Sequence, residues 1–165
     1  IFTVSIGLQC KGETVLGVVY APYLNELYEA CKGKGAMLNG RSIHVSGKND
    51  TQESVVSTGF PIDKDRNPDN NLDNLARILP MVRGVRRQGS AAFDLCCVAA
   101  GILDGYWEFN LHLWDVCAGI LIVTEAGGTV RSFREDRNVS IVAGTPAIVE
   151  QLYPRLSDKP GKICL

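Results

Sequence analysis

Residues 114–128 read Trp-Asp-Val-Cys-Ala-Gly-Ile-Leu-Ile-Val-Thr-Glu-Ala-Gly-Gly. This stretch decides the fold, because apolar residues fill nearly every position between Asp115 and the paired glycines and predict a buried helix from Val116 to Ala126. Asp115 stands at the start of that helix, where free backbone N–H groups favour negative charge. A carboxylate in this position is placed to hold a metal ion or a polar ligand.

From Glu53 onward, strand-like and helix-like segments alternate. The predicted strands are 55–59, 82–87, 105–108, 129–133 and 140–143, and the further predicted helices are 71–79, 90–100 and 146–152. Pro80 ends the first of these helices, and Pro146 occupies the first turn of the last. This alternation predicts a C-terminal α/β domain over residues 51–165, with a mixed sheet between layers of helices.

Residues 1–50 follow a different pattern. β-Branched and aromatic residues concentrate at 2–8 and 15–20, on either side of the turn-forming residues 11–13, and a third strand is predicted at 26–31. Asn39-Gly40 then supplies a tight turn of the kind that needs positive φ. We therefore expect part of an N-terminal antiparallel sheet, and a chain of mixed α/β class overall.

The composition excludes several kinds of partner. Seventeen Lys and Arg against eighteen Asp and Glu leave a net charge of −1, so no basic excess supports binding to nucleic acid or to an anionic membrane. The local cluster of Arg83, Arg86 and Arg87 is most simply a solvated strand edge. No apolar run approaches the roughly 18 residues that a membrane-spanning helix needs.

Cysteine usage favours a reducing compartment. The chain has six cysteines, and none of them shows CxxC spacing: Cys10, Cys31, Cys96, Cys97, Cys117 and Cys164. Several lie in apolar segments, where a free thiol packs as a small hydrophobic group. We expect a cytoplasmic protein, while a transit peptide ahead of Ile1 would leave the same sequence here and would direct it to an organelle.

Two short motifs carry candidate chemistry. Glu108 and Asp115 lie seven residues apart on either side of a predicted loop, which would let both carboxylates face one cavity. The other interpretation makes each a surface acid or a helix cap. In Gly89-Ser90-Ala91, the glycine lets a ligand approach the N–H groups of a helical first turn. Here the alternative is that Ser90 is a plain N-cap.

An acidic loop imitates a calcium site without completing one. Residues 63–69 carry Asp63, Asp65, Asn67 and Asp69 at alternating positions. Pro68 occupies the position that needs glycine, and Asn74 stands where a bidentate Glu belongs. We therefore predict a polar loop without a calcium ion.

These motifs together resemble the inositol monophosphatase family. The matching segments, in family order, are 2–8, 17–20, 32–36, 89–95 and 114–115. The resemblance implies a Mg²⁺-dependent phosphomonoesterase that hydrolyses inositol phosphate or a related sugar or polyol phosphate by metal-activated water, without a phosphoenzyme. Relatives that act on fructose bisphosphate, histidinol phosphate or bisphosphate nucleotides stay open as alternatives.

The same resemblance assigns roles to individual residues. Asp115 matches a catalytic Asp that ligates Mg²⁺ and also contacts substrate. Glu108 matches a Glu that hydrogen-bonds substrate hydroxyls, and Gly89, Ser90 and Ala91 match a step that contacts the substrate ring. We also expect a homo-oligomer, in the form of a homodimer, because the strands of residues 1–48 would lack their upstream partners and leave unpaired edges and apolar surface for another chain to cover.

Two motifs of the family do not occur in this sequence. In the family a Glu-bearing motif and an Asp-Pro-Ile-Asp-Gly-Thr motif lie ahead of the region where Ile1 begins, and they carry most of the metal ligands. We therefore expect the C-terminal portion of the enzyme, which is an incomplete catalytic unit when isolated. The alternative is a non-catalytic binding or assembly module derived from the family, and the coding sequence ahead of Ile1 would distinguish the two.

Overall fold

The computed structural model describes residues 1–156, which form two five-stranded sheets and four α-helices. The strands are β1 (Val4–Cys10), β2 (Glu13–Ala21), β3 (Glu26–Cys31), β4 (Ala36–Leu38), β5 (Arg41–Ile43), β6 (Val55–Thr58), β7 (Gly84–Arg86), β8 (Gly105–Leu111), β9 (Thr129–Ser132) and β10 (Val139–Gly144). The helices are α1 (Leu72–Ile78), α2 (Ala91–Ala99), α3 (Leu113–Glu125) and α4 (Pro146–Leu152), with short 3₁₀ turns at Thr51–Glu53, Leu79–Met81 and Tyr153–Arg155. The mixed α/β class predicted from the sequence is confirmed.

The first sheet is an antiparallel meander in the order β1-β2-β3-β4-β5. Its tight turns fall where the turn residues predict them, because Lys11-Gly12 and Asn39-Gly40 all have positive φ, between 50° and 83°. β1 forms one edge of this sheet. Its outward-facing residues Val4, Ile6 and Leu8 are each at least half exposed, so this apolar face has no cover within residues 1–156.

The second sheet is mixed, with the order β7-β6-β8-β10-β9. β6 runs parallel to both β7 and β8, whereas β10 is antiparallel to β8 and β9. Helices α1 and α4 pack on one face of this sheet in a small core around Trp107, and α2 and α3 pack on the other. The mixed sheet between helical layers is therefore as predicted.

Helix α3 lies between the two sheets, and its burial confirms the prediction for Val116 to Ala126. Glycines allow α3 to pack closely against α2 on one side and against β2 on the other. A Cβ at Gly119 would lie 2.7 Å from Leu95 of α2, and one at Gly17 of β2 would lie 2.8 Å from the carbonyl oxygen of Ala118. The main core joins residues from both sheets, and the division of the chain near residue 50 stays a prediction.

The two largest differences between predicted and observed element boundaries lie at the end of β8 and at the start of α3. β8 continues to Leu111 instead of ending at Glu108, because Leu111 pairs with Val139 beyond a bulge at which Asn110 adopts a φ of 62°. Helix α3 begins two residues before Asp115, at Leu113, so Asp115 is its third residue. The extension of β8 depends on pairing with a distant strand, whereas the start of α3 is set locally by the capping box between His112 and Asp115.

The remaining sequence expectations concern thiols and membranes. The five cysteines among the described residues are all free, and Cys164 lies outside that part of the chain. Arg83, Arg86 and Arg87 are exposed beside the edge strand β7. A search of residues 1–156 finds no helix that is both long and apolar enough to span a bilayer.

Candidate active site

A cleft of about 650 Å³ lies between the two sheets at the start of α2 and α3. Its walls come from the start of β1, the end of β6, the middle of β8 and the first turns of both helices. The five residues assigned from the sequence all line it: Gly89, Ser90, Ala91, Glu108 and Asp115. The cleft therefore brings together assigned residues that are up to 26 positions apart in the sequence, from Gly89 to Asp115.

Glu108 lies half-buried in the middle of β8. The hydroxyl of Tyr106 donates a hydrogen bond of 2.7 Å to its Oε2 atom. Gly59 provides the room for the carboxylate, because a Cβ at this glycine would lie only 2.1 Å from Oε1. Burial raises the pKa of Glu108 to about 7, while the Tyr106 hydrogen bond opposes the rise. Near neutral pH the carboxyl group can thus accept or donate a hydrogen bond.

Asp94 is a second acid in the cleft, and the sequence interpretation missed it. It lies in the first turn of α2, is 1% exposed and accepts a 3.0 Å hydrogen bond from Gln88 Nε2. Burial raises its pKa to about 6, and its charge helps to raise the pKa of Glu108. The signal was available, since Asp94 is an acid inside the otherwise apolar run 91–99.

The turn before α2 combines both interpretations of Gly89-Ser90-Ala91. Gly89 has a φ of 89°, which a residue with a Cβ would adopt only with strain. Ser90 is the N-cap, since its Oγ accepts from the N–H of Phe93 at 3.4 Å. The same Oγ lies 3.1 Å from Oγ1 of Thr3, the residue before β1. Ser90 thus caps the helix and also lines the cleft.

Asp115 likewise caps a helix while lining the cleft. Its Oδ2 atom accepts a 2.9 Å hydrogen bond from the backbone N–H of His112. A carboxylate has two oxygens and about four acceptor positions, so this bond leaves capacity for a ligand. The neighbouring Trp114 stacks on His112 at 4.3 Å between ring centroids and is 68% exposed at the rim of the cleft.

Asp115 suits one position in the coordination shell of a magnesium ion. Mg²⁺ takes one or two carboxylates and completes its shell with water and phosphate oxygens. Within residues 1–156 no group of three or more His, Cys, Asp or Glu side chains lies close enough to enclose a metal. The described residues therefore fit a single-ligand contribution to such an ion and no complete cage.

A pH-dependent stability follows from Glu108. Its pKa in the folded chain is about 7 against an ordinary value of 4.5, so the folded state favours the protonated form. The stabilisation is complete below pH 4.5 and is lost as the pH rises through 7. We expect the Glu108→Gln variant to lack this loss, so its stability relative to the natural chain should increase across that window.

Urea unfolding of both proteins at several pH values would measure the effect. A matched control is Glu53→Gln, which changes an exposed glutamate far from the cleft. A stability difference between Glu108→Gln and the natural chain that stays constant with pH would contradict the raised pKa of Glu108.

Comparison with known proteins identifies the family to which residues 1–159 belong. The sequence model of the inositol monophosphatase family matches residues 1–159. The Nus factor SuhB of Pasteurella multocida is 41% identical over 166 residues, covering 96% of this chain and 62% of that protein. The inositol-1-monophosphatase of Mesorhizobium japonicum is 41% identical over 156 residues, covering 92% and 59%.

Solved structures agree with this placement. The inositol monophosphatase structure from Anabaena superposes with a TM-score of 0.89 at 38% identity, covering 97% of this chain and 66% of that one. Mycobacterium tuberculosis SuhB gives a TM-score of 0.83 at 37% identity, covering 93% and 63%. The chain spans about three fifths of the length of the curated relatives it matches.

Proposed function

The chain belongs to the inositol monophosphatase family, and from this premise we propose that it forms the substrate-facing part of a Mg²⁺-dependent phosphomonoesterase. The proposed substrate is inositol phosphate or a related sugar or polyol phosphate. The observation that carries the proposal is the meeting of the 89–91 turn, Glu108 and Asp115 in one cleft.

The proposal assigns roles to Glu108, to the Gly89–Ala91 turn and to Asp115. Glu108, held by Tyr106, orients the polyol by hydrogen bonding its hydroxyl groups. Burial raises the pKa of the Tyr106 hydroxyl, so this group stays a donor to Glu108. The exposed backbone of the Gly89–Ala91 turn lies against the ring, where a larger side chain at position 89 would meet Arg87.

Asp115 would hold the magnesium ion with the oxygen that does not cap α3. When bound, the ion would neutralise phosphoryl charge and activate water. The remaining metal ligands would come from water, from the substrate phosphate and from other parts of the full-length protein. Those parts correspond to the portion of the relatives that this chain does not cover. The activity is therefore proposed for the full-length protein, while the isolated chain is proposed to have negligible turnover.

The proposal predicts a specific effect of Glu108→Gln in the full-length protein. The amide keeps the size of the side chain but loses the charge, so hydrogen bonds to polyol hydroxyls weaken while water activation is untouched. We expect KM for inositol phosphate to rise about tenfold with kcat changed by less than about threefold. Steady-state kinetics with inositol phosphate and with glycerol phosphate would measure the shift in preference.

The same kinetics test the proposed role of Glu108. A fall in kcat with unchanged KM would mean that Glu108 acts in the chemical step instead of in substrate orientation. Glu53→Gln is a matched control, because Glu53 is exposed and does not belong to the cleft lining.

The uncovered face of the first sheet motivates a second candidate function. Val4, Ile6 and Leu8 present an apolar strip on an open edge strand. This favours association, and we propose a homodimer for the full-length protein. A non-catalytic assembly module would use the same face and would bind the polyol phosphate without hydrolysing it. The proposed small-molecule ligand is a phosphate ester, and the net charge of −1 argues against a nucleic-acid partner.

A further inference from the structure

A single buried side chain, Asn71, ties together the strands that form the floor of the cleft. It lies in the loop between β6 and α1, is fully buried and has a left-handed backbone conformation with a φ of 74°. Its Nδ2 atom donates to Thr58 Oγ1 at 2.9 Å and to the carbonyl oxygen of Gly59 at 2.7 Å. Its Oδ1 atom accepts from Trp107 Nε1 at 3.0 Å and from Asn74 Nδ2 at 2.9 Å.

These four bonds use the full hydrogen-bonding capacity of the amide group. Trp107 belongs to β8, while Thr58 ends the neighbouring strand β6 and Gly59 follows it. Thr58 closes the network by donating to the carbonyl oxygen of Trp107 at 2.7 Å. A fully satisfied buried network of this kind holds a unique local geometry.

The network reaches Glu108 by two routes. Along β8, Glu108 follows Trp107, and successive side chains of a strand point to opposite faces of the sheet. A fixed indole ring of Trp107 therefore holds the strand from which the Glu108 side chain extends on the other face. Across the sheet, Gly59 is the residue against which the Glu108 carboxylate lies, since a Cβ there would fall 2.1 Å from Oε1. The two backbone segments that bound Glu108 are both held by one amide group.

We infer that Asn71 is a positioning residue for Glu108 and sets the place of the substrate-orienting carboxylate in the cleft through Gly59 and Trp107. This role rests on the proposed function, in which Glu108 binds the polyol. Asn71 itself lies beneath the cleft floor, on the side where Trp107 is buried, and does not belong to the cleft lining. It therefore acts on substrate only through its neighbours.

The chain offers a matched control in the adjacent residue. Asn70 is also buried and lies in the same loop, but its hydrogen bonds go to the carbonyl oxygen of Lys64 and the N–H of Leu72. Asn71→Gly and Asn70→Gly each remove one amide side chain and add no charge. Glycine at position 71 also keeps the left-handed backbone without strain.

The first arm of the experiment measures kinetics in the full-length protein. We expect Asn71→Gly to raise KM for inositol phosphate about tenfold with kcat nearly unchanged, and Asn70→Gly to leave both near their natural values. In a Glu108→Gln background, Asn71→Gly should add less than about twofold to KM, because the group it positions is already altered. Independent, multiplicative effects of the two substitutions on KM would overturn the inference.

A second variant covers the case in which Asn71→Gly does not fold. Asn71→Asp keeps an oxygen to accept from Trp107 and Asn74 but loses the two donor bonds to Thr58 and Gly59. Asn70→Asp is its control, because it introduces the same charge one residue away. We expect Asn71→Asp to raise KM as Asn71→Gly does, and Asn70→Asp to leave KM near its natural value. In the Glu108→Gln background, Asn71→Asp should not raise KM further.

The second arm is independent of catalysis. The Glu108 carboxyl carbon, followed by NMR in ¹³C-glutamate-labelled protein, should titrate near 7 in the natural protein. The groups that face it are Tyr106, Asp94, Arg87 and Asp115. In Asn71→Gly, a carboxylate released from Gly59 gains water, so its midpoint should fall toward 4.5.

The two arms separate the two proposals. An unchanged Glu108 midpoint in Asn71→Gly, or an equal fall in Asn70→Gly, would overturn the positioning role. If the natural full-length protein has no phosphatase activity, the proposed function is refuted. The Glu108 titration would then decide by itself whether Asn71 positions that carboxylate.

Discussion

Replacing Asp115 with Asn in the full-length protein is expected to lower kcat at least about a hundredfold while the fold survives. The substitution removes the negative charge that would hold a magnesium ion and changes the side-chain volume very little. A neutral amide oxygen is a much poorer ligand for a hard cation. Phosphatase assays over a range of magnesium concentrations would measure the loss, and added magnesium should restore only part of the activity.

The fold should survive because the amide retains what the helix needs. Asp115 accepts a hydrogen bond from the backbone N–H of His112, and the Oδ1 atom of an asparagine can accept the same bond. We expect thermal unfolding to shift by a few degrees at most. Asp73→Asn is the matched control, since Asp73 lies in the first turn of α1 and pairs with Arg77 away from the cleft. Full activity in Asp115→Asn would refute the assignment of the site.

The second large effect concerns a buried ion pair. Asp69 accepts two hydrogen bonds from Arg134, at 2.8 and 3.0 Å, and a third from Arg137 at 2.8 Å. The side chain of Arg134 is only 1% exposed. Arg134 also pairs with Asp136 at 2.8 Å, so its charge keeps one partner when Asp69 is removed. Asp69→Ala loses the charge-assisted hydrogen bonds of the buried pair and should lower the free energy of unfolding by about 1.5–3 kcal/mol.

Urea unfolding of the chain would measure this change. Asp65→Ala is the control, because Asp65 lies in the same loop but pairs with Arg66 at 3.5 Å in solvent. That substitution should cost less than about 1 kcal/mol. Equal effects at positions 65 and 69 would show that the Arg134 pair contributes no more than a surface pair.

The Asp69 pair also explains how an apparently plain loop takes part in the site. The loop from Gly59 to Asn71 carries Phe60 and Ile62 to the wall of the cleft. Its far end is anchored by Arg134, which lies 65 residues away in sequence. Periodic Asp and Asn residues indicated a polar loop, but no local pattern could show which of them is buried against an arginine.

The sequence predicted the elements whose information is local. The 146–152 helix begins with Pro146, and the 39–40 turn has the positive φ angles that Asn-Gly favours. The buried helix followed from an apolar run long enough to exclude a strand. Each of these features depends on residues within one or two turns of chain, which is the range over which spacing carries information.

The parts of the site that were missed depend on contacts across the sheets. Gly59 leaves room for the Glu108 carboxylate of the neighbouring strand, and Asn71 accepts a hydrogen bond from Trp107, which lies 36 positions later in the sequence. Asp94 was missed although it interrupts an apolar run, because its position in that run does not show that the carboxylate faces the cleft. The roles given to Glu108 and Asp115 came from motif order, and the cleft now supplies the geometry in which kinetics can test them.

The close packing of α3 against the first sheet has an evolutionary consequence. Gly7 and Gly17 belong to the first sheet and do not line the cleft, yet a methyl group on either would collide with Cys117 or Ala118 of α3. Those collisions would push outward the very helix turn that presents Asp115. Among descendants of this gene, positions 7 and 17 should therefore drift as little as the acids of the cleft, so a map of invariant residues would overstate the size of the reaction centre.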